Sequence, residues 1–313
     1  METNIKRALV IGAGGFIGHN LVKRLKKEGW YVMGLDLKEP LYEKSPADVF
    51  LVSDARSAVC DDWNYYDRVY QLAADMGGAK FVFTGDNDAE ILSNSLGINI
   101  HILQELKKAK YNGQIFYSSS VCAYPDNVEG KEEDAWPANP PSNYGVEKLV
   151  SERLYLSYAK NHGINIRVAR FHNCFGPMGT YEGGREKSPA AICRKVYQAD
   201  KEIEIWGNGE QLRPFIFIED LLDGIEKLMQ SDWKEPMNLG PDSGITINQM
   251  VDIVSEIAGK TLEKKFVDGP TGGQVRNANN DLAQKVLNWK PKWDLKEALE
   301  ITYNWIKGEY EKA

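Results

Sequence analysis

The chain is 313 residues long, 42% hydrophobic and 27% charged, an ordinary globular composition with ample material for a core. Its formal charge of −7 excludes a global positive field that would recruit nucleic acid or an anionic membrane. No stretch reaches the roughly 18 apolar residues of a membrane helix, Met1-Glu2-Thr3-Asn4 lacks the layout of a signal peptide, and the scattered cysteines and histidines offer neither a disulfide framework nor metal-ligand spacing, so a cytoplasmic protein without metal is expected.

Arg7-Ala8-Leu9-Val10-Ile11 is a short apolar run, as expected of a strand buried on both faces of a parallel sheet. Glycines follow, and then Ile17, Leu21 and Leu25 recur at helical spacing until Gly29 offers a stop. Tyr31-Val32-Met33-Gly34-Leu35-Asp36 completes one β-α-β unit. Between its first strand and its helix, Gly12-Ala13-Gly14-Gly15-Phe16-Ile17-Gly18 fits G-x-x-G-x-x-G. Gly12 and Gly15 let the backbone turn and approach a pyrophosphate, Gly18 lets the helix pack on the strand, and the helix start at Phe16 and Ile17 supplies N–H groups and positive dipole. Asp36 ends the second strand, where a carboxylate accepts from a ribose 2′-hydroxyl and repels a 2′-phosphate. NAD rather than NADP is therefore expected. Asp54, after the third strand, is read either as a partner of the adenine edge or as a solvated loop acid.

Further strands are expected over 49–52, 69–73, 114–117 and 164–170, with helical patterns over 89–110 and 144–161. Strands alternating with helices predict an α/β fold, a doubly wound parallel sheet of Rossmann type. Beyond Phe171 the pattern is irregular. Gly176-Pro177-Met178-Gly179 and Gly183-Gly184 precede a short helix from about Ser188, Phe215 to Ile218 reads as a return to the sheet, and Glu219-Asp220 opens the next helix. Two or three helices and a strand near Phe266 complete the chain. A smaller, interleaved α/β domain is expected to close over the carboxyl edge of the sheet, so that 1–172 and 215–240 bind the dinucleotide and 173–214 and 241–313 the substrate.

Tyr144-Gly145-Val146-Glu147-Lys148 puts a phenol and an ammonium on one helical face. A cation near a phenol favours the phenolate, which makes a usable base. Tyr117-Ser118-Ser119-Ser120 ends a strand, where a hydroxyl can reach the same substrate oxygen. Cys174 and Cys193 are read as packing residues, and His172 as a hydrogen-bonded structural histidine.

These pieces stand in chain order with Leu72-Ala73-Ala74, Asn94, Arg170-Phe171-His172-Asn173 leading into Gly176-Pro177, and Arg213-Pro214-Phe215. In this the chain resembles the extended short-chain dehydrogenase/reductase family, the NAD-dependent epimerases and dehydratases of nucleotide sugars. The resemblance implies NAD as cofactor, with Ala73 beside it, and a homodimer through helices 89–110 and 144–161. It implies Tyr144 as the base at a sugar hydroxyl, Ser120 orienting that hydroxyl, Lys148 binding the nicotinamide ribose and tuning Tyr144, and Asn173 and Arg213 holding the substrate diphosphate. Where the sugar 4,6-dehydratases of the family carry an acid, this chain has Cys122. That cysteine, Ala74-Asp75-Met76-Gly77-Gly78, the run from Gly183 to Ala191, Cys193-Arg194-Lys195, Trp206-Gly207 and Gln211-Leu212-Arg213 resemble the GDP-mannose 3,5-epimerase branch. In that branch Cys122 and Lys187 would be the acid/base pair, and Gly78, Asn173, Lys195, Gln211, Arg213 and Arg276 would contact the GDP-sugar. Segments 81–87 and 126–131 and Gly272-Gly273-Gln274 depart from it. The expected activity is oxidation at carbon 4 of a GDP-mannose-like sugar, inversion at carbon 3 and/or 5, and re-reduction. The same machinery would serve a GDP-sugar 4-dehydrogenase or 4-epimerase. A catalytically silent NAD-sensing module would commonly lack the Tyr144/Lys148 pair.

Overall fold

The computed structural model describes residues 5–58, 60, 62–126, 128–269 and 279–312. Gly272-Gly273-Gln274 and Arg276 lie outside the described residues. The first half of the chain forms β1 (Arg7–Ile11), α1 (Phe16–Lys27), β2 (Tyr31–Asp36), β3 (Val49–Val52), β4 (Arg68–Gln71), α2 (Ala79–Phe83), α3 (Asp88–Lys108), β5 (Gln114–Ser120) and α4 (Asn143–His162). There follow β6 (Asn165–Phe171), β7 (Asn173–Phe175), α5 (Ser188–Gln198), β8 (Glu202–Trp206), β9 (Leu212–Arg213), β10 (Phe215–Phe217) and α6 (Ile218–Gln230). The remainder is β11 (Met237–Leu239), β12 (Ile245–Thr246), α7 (Ile247–Ala258), β13 (Glu263–Val267), α8 (Asp281–Leu287) and α9 (Leu295–Lys312).

Seven strands pair in parallel in the order β11-β6-β5-β4-β1-β2-β3. The chain winds outward from β1 to β3 and then restarts at β4 on the other side of β1. That reversal opens a crevice at the carboxyl ends of the strands, the place where such sheets bind ligands. Alternate residues feed two cores. Ala8, Val10, Val32 and Phe116 pack with Leu21 and Leu25 of α1 and Leu221 and Ile225 of α6, while Leu9, Ile11, Val69 and Ile115 pack with Ile102 and Leu106 of α3 and Tyr155 of α4. Burial on both faces explains why these strands read as unbroken apolar runs. Among the described residues no helix is long and apolar enough to cross a membrane.

Phe215–Phe217 does not return to the central sheet. It pairs with β7 in a separate two-stranded sheet, and the outer strand beside β6 is β11 instead. Three buried apolar residues look alike in either setting. The small β8–β13 and β9–β12 sheets and helices α5, α7 and α9, which pack on one another, make up the second lobe.

One buried ion pair ties the segments under the crevice together. Arg170 of β6 donates through Nε and Nη2 to Glu152 of α4 at 2.9 and 2.7 Å, and both residues are almost fully buried. Glu152 also accepts from Ser119 of β5. The remaining guanidinium nitrogen donates to Tyr124 Oη and the Glu132 carbonyl, and Tyr124 donates in turn to Asn238 of β11. Removing one partner of such a pair strands a buried charge, so Arg170→Met should cost about 3–5 kcal/mol of stability and a second change, Glu152→Gln, should recover part of it. Urea unfolding of both variants measures this. An Arg170→Met protein as stable as the native one would show that the pair does not hold the strands together.

Candidate active site

The glycine turn is stitched to the end of β2, where Gly12 and Ala13 donate their N–H groups to the Leu35 carbonyl at 2.8 and 3.2 Å. A Cβ on Gly18 would stand 2.0 Å from the Gly12 carbonyl oxygen, so only glycine there lets α1 come so close. The first N–H groups of α1, from Phe16 onward, have no acceptor within the helix and face the turn that Gly15 caps. Asp36 accepts from Gly14 N–H at 2.9 Å, and its burial raises its pKa against the pull of that bond. Ala73 lies against Gly12, with its N–H on the Gln71 side chain at 3.0 Å. A tight backbone cradle followed by a carboxylate fits the pyrophosphate and ribose of NAD. Asp54 is tied locally: its carboxylate pairs with Arg56 at 2.6 Å, and Arg56 reaches Asn94 at 2.6 Å.

Ser120, at the end of β5, accepts from Cys122 N–H at 3.1 Å and so caps a short 3-10 turn, Val121–Ala123. This presents Ser120 and Cys122 at the crevice mouth. Tyr144 and Lys148 come from the first turns of α4, which Ser142 caps through Gly145 N–H at 3.2 Å. A Cβ on Gly145 would meet the Cys122 carbonyl at 2.1 Å. The glycine after Tyr144 is therefore what lets α4 lie against the segment carrying Ser120 and Cys122. Lys148 Nζ donates to the Ser118 carbonyl at 3.1 Å and the Tyr117 hydroxyl at 3.4 Å, and sits 5.7 Å from the Tyr144 ring centroid. Glu147, fully buried beside it, approaches the same ammonium at 3.7 Å.

Tyr144, Lys148, Ser120, Cys122, Gly78, Asn173, Lys187 and Arg213 all line one cavity of about 180 Å³. Lys187 enters from the residue before α5, held there by Gly78 N–H donating to the Arg185 carbonyl at 3.0 Å. Burial of its ammonium lowers the Lys187 pKa, while the nearby Cys174 and Cys122 thiols oppose that shift. Lys195, Gln211 and Arg213 line a neighbouring cavity of about 200 Å³, floored by Trp206. There Lys195 Nζ lies 5.7 Å from the Trp206 ring and donates to the Glu204 carbonyl at 2.9 Å, and Gln211 donates to the Trp206 carbonyl at 3.2 Å. Arg213 and Ser188 border both cavities. The structure thus brings the expected catalytic and substrate residues, with Ile17, into two adjoining chambers. Gly12, Gly15, Phe16, Gly18, Asp36 and Ala73 stand around the glycine turn outside both linings, Asp54 is at its own ion pair and Arg276 is beyond the described residues.

Some of the site was not foreseen. Helix α2, only five residues long, supplies Ala79 and Val82 to the cavity wall, and its length leaves no periodicity to detect. Trp206, named above only as part of a resembling motif, ends β8 and floors the second chamber, a place that the motif does not reveal. His172 is not the hydrogen-bonded structural histidine expected of it: it lines the chamber that holds Cys122, and neither ring nitrogen has a hydrogen-bond partner among the described residues. A motif shows that a histidine is present and nothing of what surrounds its ring.

The Asp36 geometry generates a prediction. Loss of a charge-assisted bond to a ribose hydroxyl should weaken NAD binding by about 1.5–3 kcal/mol, so Asp36→Ala should erode the preference for NAD over NADP by roughly 10–100-fold. Titration of both cofactors into both proteins checks it. Equal affinity of the native protein for NAD and NADP would overturn the assignment.

Comparison with known proteins agrees with this geometry. Residues 8–240 match the model of the NAD dependent epimerase/dehydratase family. GDP-mannose 3,5-epimerase of Arabidopsis thaliana is 42% identical over 316 residues, covering 97% of this chain and 82% of the relative. GDP-mannose 3,5-epimerase 1 of Oryza sativa subsp. indica is 42% identical over 320 residues, covering 98% and 83%. Among solved structures, UDP-glucose 4-epimerase of Thermotoga maritima with UDP-glucose superposes with a TM-score of 0.85 at 25% identity, over 97% of this chain and 99% of that one. UDP-glucuronic acid 4-epimerase of Bacillus cereus, in complex with UDP-glucuronic acid and NAD, gives 0.83 at 25% identity over 97% and 100%. With a glycine cradle for a dinucleotide, a Tyr/Lys pair at the crevice and relatives matched along nearly its whole length, the chain belongs to the NAD-dependent epimerase/dehydratase family.

Proposed function

We propose that the protein is an NAD-dependent epimerase of GDP-mannose or a closely related GDP-sugar, oxidising carbon 4, inverting carbon 3 and/or carbon 5, and re-reducing carbon 4. The observation that carries this reading is the presence of Cys122 and Lys187 in one cavity with Tyr144 and Lys148. The 42% identity to GDP-mannose 3,5-epimerases supports the choice of sugar nucleotide.

Bound NAD supplies the hydride acceptor and donor for carbon 4. Tyr144 accepts the proton of the carbon 4 hydroxyl, Lys148 favours its phenolate, and Ser120 holds the same oxygen. A ketone at carbon 4 acidifies the hydrogens on carbons 3 and 5. Inversion then needs one group to take a proton and another to return it on the opposite face. Cys122 comes from the end of β5 and Lys187 from the start of α5, so the two reach the ring from different segments. An amine whose pKa is lowered by burial exchanges protons closer to neutrality than an exposed lysine does. Arg213, between the two chambers, suits the diphosphate with Asn173, and Lys195, Gln211 and Trp206 suit the nucleoside end. In this reading residues 1–172 and 215–240 serve NAD, and 173–214 and 241–313 serve the nucleotide sugar. Four cysteines that form no disulfide among the described residues, one of them read as a working thiol, fit a reducing cytoplasm.

Oxidation and proton exchange draw on different residues, which separates the possible activities. Cys122→Ala and Lys187→Ala should each lose roughly 10²–10⁴-fold in epimerised product while still oxidising the sugar. Tyr144→Phe should do neither and still bind NAD. Incubation with GDP-mannose in deuterated water, with NMR of the product, should find deuterium at carbon 3 or 5 for the native protein and none for Cys122→Ala. A native protein that releases a 4-ketosugar without deuterium would be a dehydrogenase, and one that inverts only carbon 4 a 4-epimerase.

The reading extends to a homodimer built from α3 and α4 of two copies as a four-helix bundle. Ile100 on α3 and Val150 on α4 are 41% and 48% exposed, which is apolar surface in need of cover. Sedimentation at micromolar concentration should give twice the 35.3 kDa chain mass. A monomer would refute it.

A further inference from the structure

His172 follows β6, where the chain leaves the central sheet for β7, and its N–H donates to the Leu239 carbonyl at 3.2 Å. The residue is 2% exposed, yet it lines the chamber that holds Cys122, Lys187 and Tyr144. Neither Nδ1 nor Nε2 meets a hydrogen-bond partner among the described residues. Buried polar groups without partners are rare in native proteins, and an orphaned one in a site calls for an explanation. Sequence context holds the ring in place: a Cβ on Gly240 would come within 2.2 Å of it, so the backbone after β11 forms a close-fitting wall on one side.

The chemistry around the ring narrows its task. Lys148 and Arg213 line the same chamber, and as cations both are donors with no accepting atom. A neutral imidazole carries one donor and one acceptor. Burial keeps this ring neutral by pulling its pKa down to about 3, so it does not compete with Cys122 and Lys187 for the exchanging proton. What it can do is hydrogen-bond a hydroxyl.

We propose that His172 binds the hexose of the nucleotide sugar directly, through a hydroxyl that takes no part in the reaction, and so helps decide which sugar the chamber accepts. The inference rests on the nucleotide-sugar reading given above. A site built to hydrogen-bond a hydroxyl discriminates strongly against a ligand lacking it, because its own polar group is then left unpaired. Carbons 3, 4 and 5 carry the chemistry, which leaves the hydroxyls on carbons 2 and 6.

The test uses His172→Phe, which keeps a flat ring beside Gly240 and removes both nitrogens, with His172→Leu read in the same way if the phenyl ring prevents folding. Calorimetry should find NAD and GDP bound as tightly as by the native protein, because neither ligand includes the hexose. The kcat/KM for GDP-mannose should fall roughly 10–100-fold. GDP-mannose analogues lacking the hydroxyl at carbon 2 or carbon 6 complete a double-mutant cycle. One of the two deletions should cost the native protein about that factor and cost the variant nothing further. An unchanged kcat/KM, or deletions that cost variant and native protein equally, would overturn the proposal, as would a parallel loss of GDP affinity. If the native protein does not turn over GDP-mannose at all, the substrate reading itself fails and takes this inference with it.

Discussion

Beneath the crevice, the Arg170–Glu152 pair is the constraint on which the geometry of the site depends. The cavity lining comes from separate segments: Ser120 from the end of β5 and Cys122 from the turn after it, Tyr144 and Lys148 from α4, His172 and Asn173 from the end of β6 onward. Backbone pairing fixes β5 against β6, from Gln114 opposite Asn165 to Ser120 opposite Phe171, but says nothing about where α4 sits along them. Glu152 supplies that information, because it lies on α4 and bonds to Ser119 of β5 and Arg170 of β6 at once. Close approach is then permitted by Gly145 against the Cys122 carbonyl. A buried ion pair is weak evidence for stability in itself. Here its value is positional, since it sets the register between a helix and two strands whose side chains must converge.

Charge is distributed in the same functional way. The chain is acidic overall at −7, yet Lys148, Lys187, Lys195 and Arg213 gather around two adjoining chambers. A protein that binds a negatively charged nucleotide sugar needs positive potential only where the diphosphate sits. Low-dielectric walls strengthen the field of those few cations, and the acidic exterior keeps the chain from binding polyanions at random.

The sequence made the first domain legible because its signals are local and repeated. Strands β1, β2 and β3 fall where the apolar runs do, and the glycine turn stands between β1 and α1, Asp36 at the end of β2 and Tyr144 and Lys148 on α4, as their spacing implies. Legibility failed where short elements carry no period. Met237–Leu239 is the three-residue edge strand of the seven-stranded sheet, interrupted by Asn238, whose buried amide bonds to the Gly130 and Asn279 carbonyls, while Phe215–Phe217 is more apolar and lies outside that sheet. Hydrophobicity alone cannot choose between them, since long-range pairing decides. His172 shows the same limit at a single residue: its identity is in the motif, and its lack of partners is a property of the folded chamber alone.

Lys187 illustrates how function is drawn from an unfavourable position. It is the N-cap of α5, a place that prefers Ser, Thr, Asp or Asn, and it makes no side-chain capping bond. The N-terminal end of a helix carries partial positive charge, so a cation there is disfavoured by about 0.3–1 kcal/mol. Burial acts in the same direction on the same ammonium. Both effects push toward the uncharged amine, which is the form able to take a proton from a carbon beside a ketone. An exposed lysine would be fully protonated and inert as a base at neutral pH. The neighbouring Cys174 and Cys122 oppose the shift. The unfavourable helix end thus places a lysine of lowered pKa in the cavity that holds Cys122, the setting that the proposed proton exchange calls for.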